Sequence, residues 1–185
     1  MLETELKCML DEETYLRLEK LFEWDWVKEQ VNSYYTDREN LLKQNGITLR
    51  VRTKDEKNKI QIKTHKNADS PLQICEEAEY DTDKIPEHFT ADEVEKMTGI
   101  RVEASLLGSL ATLRHSLIYN GNTEICLDKN EFLDRTDYEI ELEYTGSIPD
   151  ELLELLKAQG VEFSEPAVGK CTRFMRRLYD IAHEE

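Results

Sequence analysis

Polar and apolar residues alternate along eight segments of the chain, and this alternation predicts β-strands whose two faces differ in character. Most of these segments are separated by polar or glycine-containing turns, which is typical of an antiparallel sheet. The predicted strands cover residues 2–10, 31–36, 48–52, 59–65, 74–80, 112–119, 123–128 and 138–144.

Four helices are predicted between and after these strands, three of them from their capping residues. Asp11 is a predicted N-cap before apolar residues at helical spacing. Thr90 and Glu93 have the spacing of a capping box, and Pro149 is placed to open a further helix. The tail over 169–182 is helical toward its end. The elements together predict an α+β fold.

Composition narrows the class of protein. The chain has 24 Lys and Arg against 40 Asp and Glu, a formal net charge of −16, which disfavours nonspecific binding to nucleic acid or anionic lipid. No apolar run approaches the roughly 20 residues of a membrane helix, and the first residues lack the pattern of a signal peptide. We expect a cytoplasmic protein, a monomer or homodimer, with one domain over residues 1–185 and no nucleic-acid or membrane partner.

The charged faces of the predicted strands are sorted by sign. Arg50 and Arg52 share one strand face, and Glu139 and Glu141 share another. Like charges two residues apart repel unless a counter-ion lies between them, and a closed sheet of about eight strands has an interior wide enough for one small ligand. We therefore predict a closed eight-stranded antiparallel β-barrel, a tunnel with a charged interior and helices packed outside. The alternative to an inward charged face is, for each single strand, an ordinary half-exposed strand whose polar face lies in water.

Motifs along nearly the whole chain resemble those of the CYTH domains, the triphosphate tunnel metalloenzymes. An E-x-E-x-K signature at the N-terminus is followed by L-R-x-R, by a strand ending in lysine, by a single arginine and by E-x-E. One departure is Gly169, which stands where the family has serine. The matching segments are Glu3–Lys7, Tyr34–Asp37, Leu49–Arg52, Ile60–Lys63, Arg114, Leu127–Asp128, Tyr138–Glu143 and Gly169–Lys170.

The resemblance implies a site for Mg²⁺ or Mn²⁺, because both are hard cations that prefer oxygen ligands. The residues expected to bind metal are carboxylates that share strand faces. Glu143 is either a further ligand or a solvated strand end. The implied metal ligands are Glu3, Glu5, Asp128, Glu139 and Glu141.

The resemblance also implies a cationic cradle for phosphate, in which arginine makes bidentate contacts and lysine acts as a point charge. Lys63 and Glu5 are the expected catalytic residues. Lys63 is a candidate base because a lysine among many cations can have a lowered pKa. The implied phosphate ligands are Lys7, Arg50, Arg52, Lys63, Arg114 and Lys170.

The implied activity is metal-dependent hydrolysis of a linear triphosphate, with inorganic tripolyphosphate as the leading substrate. A class IV-type adenylate cyclase acting on ATP and a thiamine triphosphatase need the same cradle, so the motifs leave both open. A noncatalytic polyphosphate or nucleotide sensor is a further alternative, as is an acidic scaffold without ligand. A pocket at the tunnel mouth for the organic group of the substrate would distinguish these three enzymatic activities, and the sequence shows no such pocket.

Overall fold

The computed structural model of the protein describes residues 2–67 and 70–184. All eight predicted strands are present, and several extend beyond the predicted bounds because long-range pairing continues them. The elements are β1 (Leu2–Leu10), α1 (Glu12–Leu21), β2 (Trp26–Thr36), α2 (Leu41–Gln44), β3 (Ile47–Lys54), β4 (Lys57–His65), β5 (Leu72–Thr82), β6 (His88–Phe89), α3 (Ala91–Thr98), β7 (Ala104–Ile118), β8 (Thr123–Phe132), β9 (Arg135–Tyr144), α4 (Asp150–Ala158) and α5 (Lys170–His183).

Eight strands form a closed antiparallel barrel in the order β2-β3-β4-β5-β1-β9-β8-β7. Pairing of β2 with β7, from Trp26 opposite Ser116 to Thr36 opposite Ser105, closes the sheet on itself. The short β6 adds two residues beside the start of β7. Closure leaves the barrel strands without a free edge. The predicted α+β barrel is confirmed.

The barrel is inverted, with polar residues inside and apolar residues outside. Leu127 and Ile140 point outward from β8 and β9 and are buried beneath α1 and α4, with Leu18 and Leu152 in the same cluster. Leu49 and Val51 of β3 belong to a second outer cluster, which contains Val94 of α3. The charged residues, which alternate with these apolar residues along the strands, point into the interior. Helices therefore cover the apolar faces, and the tunnel receives the charged ones.

The helices begin where capping chemistry predicts. The Asp11 carboxylate accepts from Thr14 N at 2.7 Å, and Thr90 and Glu93 form a complete capping box. The short α2 was not predicted, since its signal lies in a turn. There the buried Asp37 carboxylate accepts backbone hydrogen bonds from Leu41 and two other residues. The Asp37 carboxylate is therefore occupied by backbone hydrogen bonds within this turn.

Helix α5 closes against the barrel through Phe174, which packs with Tyr34, Leu110 and Phe132. The strand beneath it bulges at Gly108, where the register between β2 and β7 shifts after Tyr34. Gly108 has φ of +149°, and a Cβ atom there would lie 2.7 Å from Phe174 Cζ. Only glycine fits this contact.

Replacing Gly108 with alanine is expected to lower the free energy of unfolding by about 2 kcal/mol, because the added methyl displaces the Phe174 ring and strains the backbone. Urea unfolding monitored by circular dichroism measures the change. Gly169→Ala is the matched control, since φ there is −63° and no atom lies within 4 Å of the added Cβ. Equal losses in both variants would contradict the packing argument.

Candidate active site

The tunnel contains a cavity of about 660 Å³ lined by charged side chains from α2, α5 and every barrel strand except β2. Most of the residues singled out from the sequence meet in it. Asp128 and Glu139 are fully buried beside the cavity and contact Lys170. The singled-out residues that line the cavity are Glu3, Glu5, Lys7, Arg50, Arg52, Lys63, Arg114, Glu141 and Lys170.

Two groups of carboxylates in the described residues have the spacing of metal ligands, because one oxygen atom from each residue of a group lies within 4.8 Å of the others. The first group consists of Glu3, Glu5 and Glu143, from neighbouring strands β1 and β9. Lys63 reaches it, with Nζ 2.6 Å from Glu3 Oε2 and 3.5 Å from Glu5 Oε2. The oxygen-only donor set fits a hard divalent cation.

The second group consists of Asp128, Glu139 and Glu141. Lys170 Nζ lies at its centre, 2.8 Å from Asp128 Oδ2 and 2.8 Å from Glu141 Oε1, and it also pairs with Glu139. Lys7 Nζ is 3.0 Å from Glu141 Oε1. Burial alone would favour neutral carboxyls, but the nearby ammonium groups, Lys170 first, lower the pKa values of Glu139 and Glu141. Both glutamates are therefore ionised at neutral pH.

Arg114 connects the two groups. Its guanidinium binds Asp128 in a fork, with Nε 2.8 Å from Oδ1 and Nη2 2.7 Å from Oδ2. The same group contacts Glu141 and lies 3.4 Å from Glu143 Oε1. Such a bidentate pair fixes the orientation of both side chains. Arg114 thus positions carboxylates from β8 and β9.

The expected lowering of the Lys63 pKa is wrong for this arrangement. Burial does act to lower the pKa of Lys63, but the charges of Glu5 and Glu3 outweigh it and raise the pKa above its ordinary value. A lysine with a raised pKa holds its proton, so it is unsuited to act as a base. The sequence pattern could not show that glutamates of β1 would lie next to Lys63 of β4.

Arg50 and Arg52 occupy the part of the tunnel beside β2. Arg50 Nε donates to Gln61 Oε1 at 2.8 Å, and Arg52 Nε donates to Asn32 Oδ1 at 2.9 Å. These partners are neutral amides, which orient the guanidinium groups without neutralising them. Burial, together with Arg50 and Arg114, lowers the pKa of Arg52 to about 9. Concentrated positive charge of this kind attracts an anion.

Two residues at the tunnel were not among the site residues predicted from the sequence. Trp26 lines the cavity, with Lys54 Nζ 4.2 Å from its ring centroid. Arg173 of α5 pairs with Asp137 at 2.7 Å and with Glu139 at 3.1 Å. Trp26 lay before the predicted start of β2, so its parity with the inner face was not visible. Arg173 could not be placed because its helix packs at long range.

Metal affinity is expected to rise between about pH 6 and about pH 8, because a carboxylate must lose its proton to bind metal. Burial raises the pKa of Glu143 from 4.5 to about 7, opposed by Arg114 and reinforced by Glu141. The folded protein then binds this proton more tightly than the unfolded chain does, and that contribution to stability is lost as pH rises through about 7. Over this pH range, metal affinity therefore rises while the contribution of protonated Glu143 to folding stability falls.

Titration of Mn²⁺ by isothermal calorimetry at both pH values measures the effect. Glu143→Gln should remove most of the pH dependence. Glu124→Gln is the matched control, since Glu124 lines the same cavity and lies outside both carboxylate groups found in the described residues. A pH dependence that survives in Glu143→Gln would assign the titration to another group.

Comparison with known proteins agrees with the geometry. The sequence model of the CYTH domain matches residues 1–179. No curated protein matches the chain significantly. No helix in 2–67 or 70–184 combines the length and apolar character needed to cross a membrane.

Solved structures share the fold. A candidate adenylate cyclase from Bacillus halodurans has 23% identity and a TM-score of 0.69, with 93% of this chain and 96% of that chain covered. A candidate adenylyl cyclase from Hippeastrum, described as having a dominant triphosphatase activity, has 20% identity and a TM-score of 0.74, with 94% and 95% covered. A protein from Pyrococcus horikoshii has 16% identity and a TM-score of 0.62, with 96% and 98% covered.

Proposed function

Because the chain belongs to the CYTH domain family, we propose that it is a divalent-metal-dependent hydrolase of linear triphosphates, with inorganic tripolyphosphate as its substrate. The observation that carries the proposal is the division of one tunnel into two regions. Carboxylates with metal-ligand spacing occupy one region, and arginines held by neutral amides occupy the other. A metal–triphosphate complex has this same division between cation and anion.

The metal would be held by Glu3, Glu5 and Glu143. Two ammonium groups pair with these carboxylates, Lys63 with Glu3 and Glu5, and Lys7 with Glu5 at 3.3 Å. Asp128, Glu139 and Glu141 would complete the site or hold a second ion once Lys170 moves aside. A bound Mg²⁺ or Mn²⁺ would neutralise charge on the phosphate oxygens. Six or more oxygen ligands are shared between protein, substrate and water at such sites.

The cations of the cradle would align the phosphate chain for attack. Arg50 and Arg52 bind phosphoryl oxygens at one end, while Lys7 and Lys63 contact the part of the chain nearest Glu5. A water molecule attacks the terminal phosphorus, the bridging P–O bond breaks, and pyrophosphate leaves. Lys63 keeps its proton and stabilises charge on the transferred group, and the Glu5 carboxylate orients the water and takes its proton. This assignment replaces the proposal of Lys63 as base.

The experiment is phosphate release from tripolyphosphate, with ATP and thiamine triphosphate in parallel, in Mg²⁺, in Mn²⁺ and in EDTA. We expect metal-dependent release that is fastest with tripolyphosphate. Tight binding without release would favour a noncatalytic sensor. If the protein neither binds nor hydrolyses any of these triphosphates, the remaining alternative is an acidic scaffold without a ligand.

Adenylate cyclase is the second candidate, favoured by the Trp26 ring in the cavity lining. An indole there can stack against a nucleobase. Two structural relatives are also described as candidate adenylate or adenylyl cyclases. Formation of cyclic AMP and pyrophosphate from ATP, measured in the same assay, would replace the first proposal with this one.

A further inference from the structure

Three side chains on the inner face of β2 carry buried polar atoms without a hydrogen-bond partner in the described part of the chain. These atoms are Gln30 Nε2, Asn32 Nδ2 and Tyr34 Oη. The side chains are 3%, 0% and 1% exposed. Their spacing of two residues directs all three to the same side of the strand, and Gln30 and Tyr34 line the tunnel cavity.

Leaving a buried donor unsatisfied is unfavourable by about 1–3 kcal/mol, so three on one strand face require an explanation. The orientation of Asn32 is set by Arg52, whose Nε must donate to the Oδ1 atom, and this leaves the amide NH₂ group free. Burial raises the pKa of the Tyr34 hydroxyl, so it keeps its proton and remains a donor. All three groups therefore offer hydrogens and need an acceptor.

The neighbouring strand supplies positive charge at the same level. In the β2–β3 register, Asn32 is opposite Arg52 and Tyr34 is opposite Arg50. Two guanidinium groups and three neutral donors thus converge beside one another. An acceptor-only ligand with several oxygens and negative charge satisfies all of them, whereas a metal ion or a cationic ligand satisfies none.

We propose that Gln30, Asn32 and Tyr34 form, with Arg50 and Arg52, a metal-independent subsite for the terminal phosphoryl group at the end of the substrate remote from Glu5, the end that leaves as pyrophosphate. This inference rests on the proposed function and assigns the recognition of that group to neutral donors as well as to arginine. A terminal phosphoryl group exposes three non-bridging oxygens, one more than an internal group, and so uses more donors. The subsite selects substrates whose terminal phosphate is free rather than esterified.

Binding of inorganic tripolyphosphate in EDTA tests the subsite without turnover or metal. Calorimetry should show that Tyr34→Phe and Gln30→Met each weaken binding about tenfold or more, since each removes a hydrogen bond to a charged acceptor. Thermal unfolding of the ligand-free variants should occur at the wild-type temperature or above it, because each substitution removes an unpartnered buried donor. The stabilisation that tripolyphosphate adds should shrink in both.

Gln73→Met is the matched control, because Gln73 lines the same cavity and its Nε2 already donates to Ala167 O at 3.0 Å. It should bind tripolyphosphate as the wild type does. Binding within twofold of wild type in Tyr34→Phe and Gln30→Met would overturn the proposal, as would no metal-free binding by the wild-type protein. A lower unfolding temperature with unchanged binding would assign these side chains to the barrel instead.

The two proposals fail separately. Wild-type binding that depends on Tyr34 and Gln30, without phosphate release in Mg²⁺ or Mn²⁺, would keep the subsite and reject hydrolysis. Metal-dependent hydrolysis that is unaffected in both variants would keep the function and reject the subsite.

Discussion

Replacing Glu5 with glutamine is expected to lower metal-dependent phosphate release from tripolyphosphate by about 10³-fold. Glu5 is 2% exposed and belongs to the carboxylate group with Glu3 and Glu143. Glutamine keeps the shape of the side chain but removes one negative charge from the metal ligands and the proposed proton acceptor. Both the affinity for metal and the rate of the chemical step should therefore fall.

Steady-state kinetics over a range of Mn²⁺ concentrations measure the loss, and Mn²⁺ calorimetry shows how much of it is weaker metal binding. Glu76→Gln is the matched control, since Glu76 lies on the outer face of β5, is exposed, and pairs with Lys66 at 2.6 Å. The control should keep wild-type activity. Wild-type rates in Glu5→Gln would reject the tunnel as the active site.

Replacing Arg52 with alanine is expected to lower kcat/KM for tripolyphosphate by about 10²-fold. Arg52 is oriented by Asn32, and burial beside Arg50 concentrates the charge of two guanidinium groups. Alanine removes the charge and the planar fork together. The loss should appear in substrate binding as well as in the rate, because the group contacts phosphate before and during the transfer.

Arg52→Lys separates the two contributions. A lysine restores positive charge but not bidentate geometry, so we expect recovery of part of the binding and little of the rate. Arg101→Ala is the control for loss of an arginine in general, since Arg101 is exposed and pairs with Asp92 and Glu95 outside the tunnel. Equal effects of Arg52→Ala and Arg101→Ala would indicate only a general charge effect.

The fold was largely predictable because strand alternation is a local property. Parity alone placed Arg50 with Arg52 and Glu139 with Glu141 on common faces, and the structure confirms the barrel in which those faces point inward. Capping residues such as Asp11 and Thr90 likewise act within one turn of their helices. Such signals need no knowledge of distant parts of the chain.

The pairings inside the tunnel were not predictable in the same way. Lys63 was expected to have a lowered pKa, but β1 brings Glu3 and Glu5 against it and reverses the direction. The role of Glu143 stayed open in the sequence, and its proximity to Glu3 and Glu5 depends on pairing between β1 and β9. Side-chain charge is local, but its surroundings are set by strands far apart in sequence.

The amino-acid sequence by itself thus determined the strand faces, the sign of the charge on each face and the family motifs, because these follow from residue identity and spacing. The tertiary structure alone decided which cations are neutralised by carboxylates, as Lys170 is, and which are held by amides, as Arg52 is. It also decided that the donors of Gln30 and Tyr34 remain unpartnered within the described residues. Pairing of β2 with β3 and packing of α5 against β8 set these contacts, and no local pattern encodes a distance across a barrel.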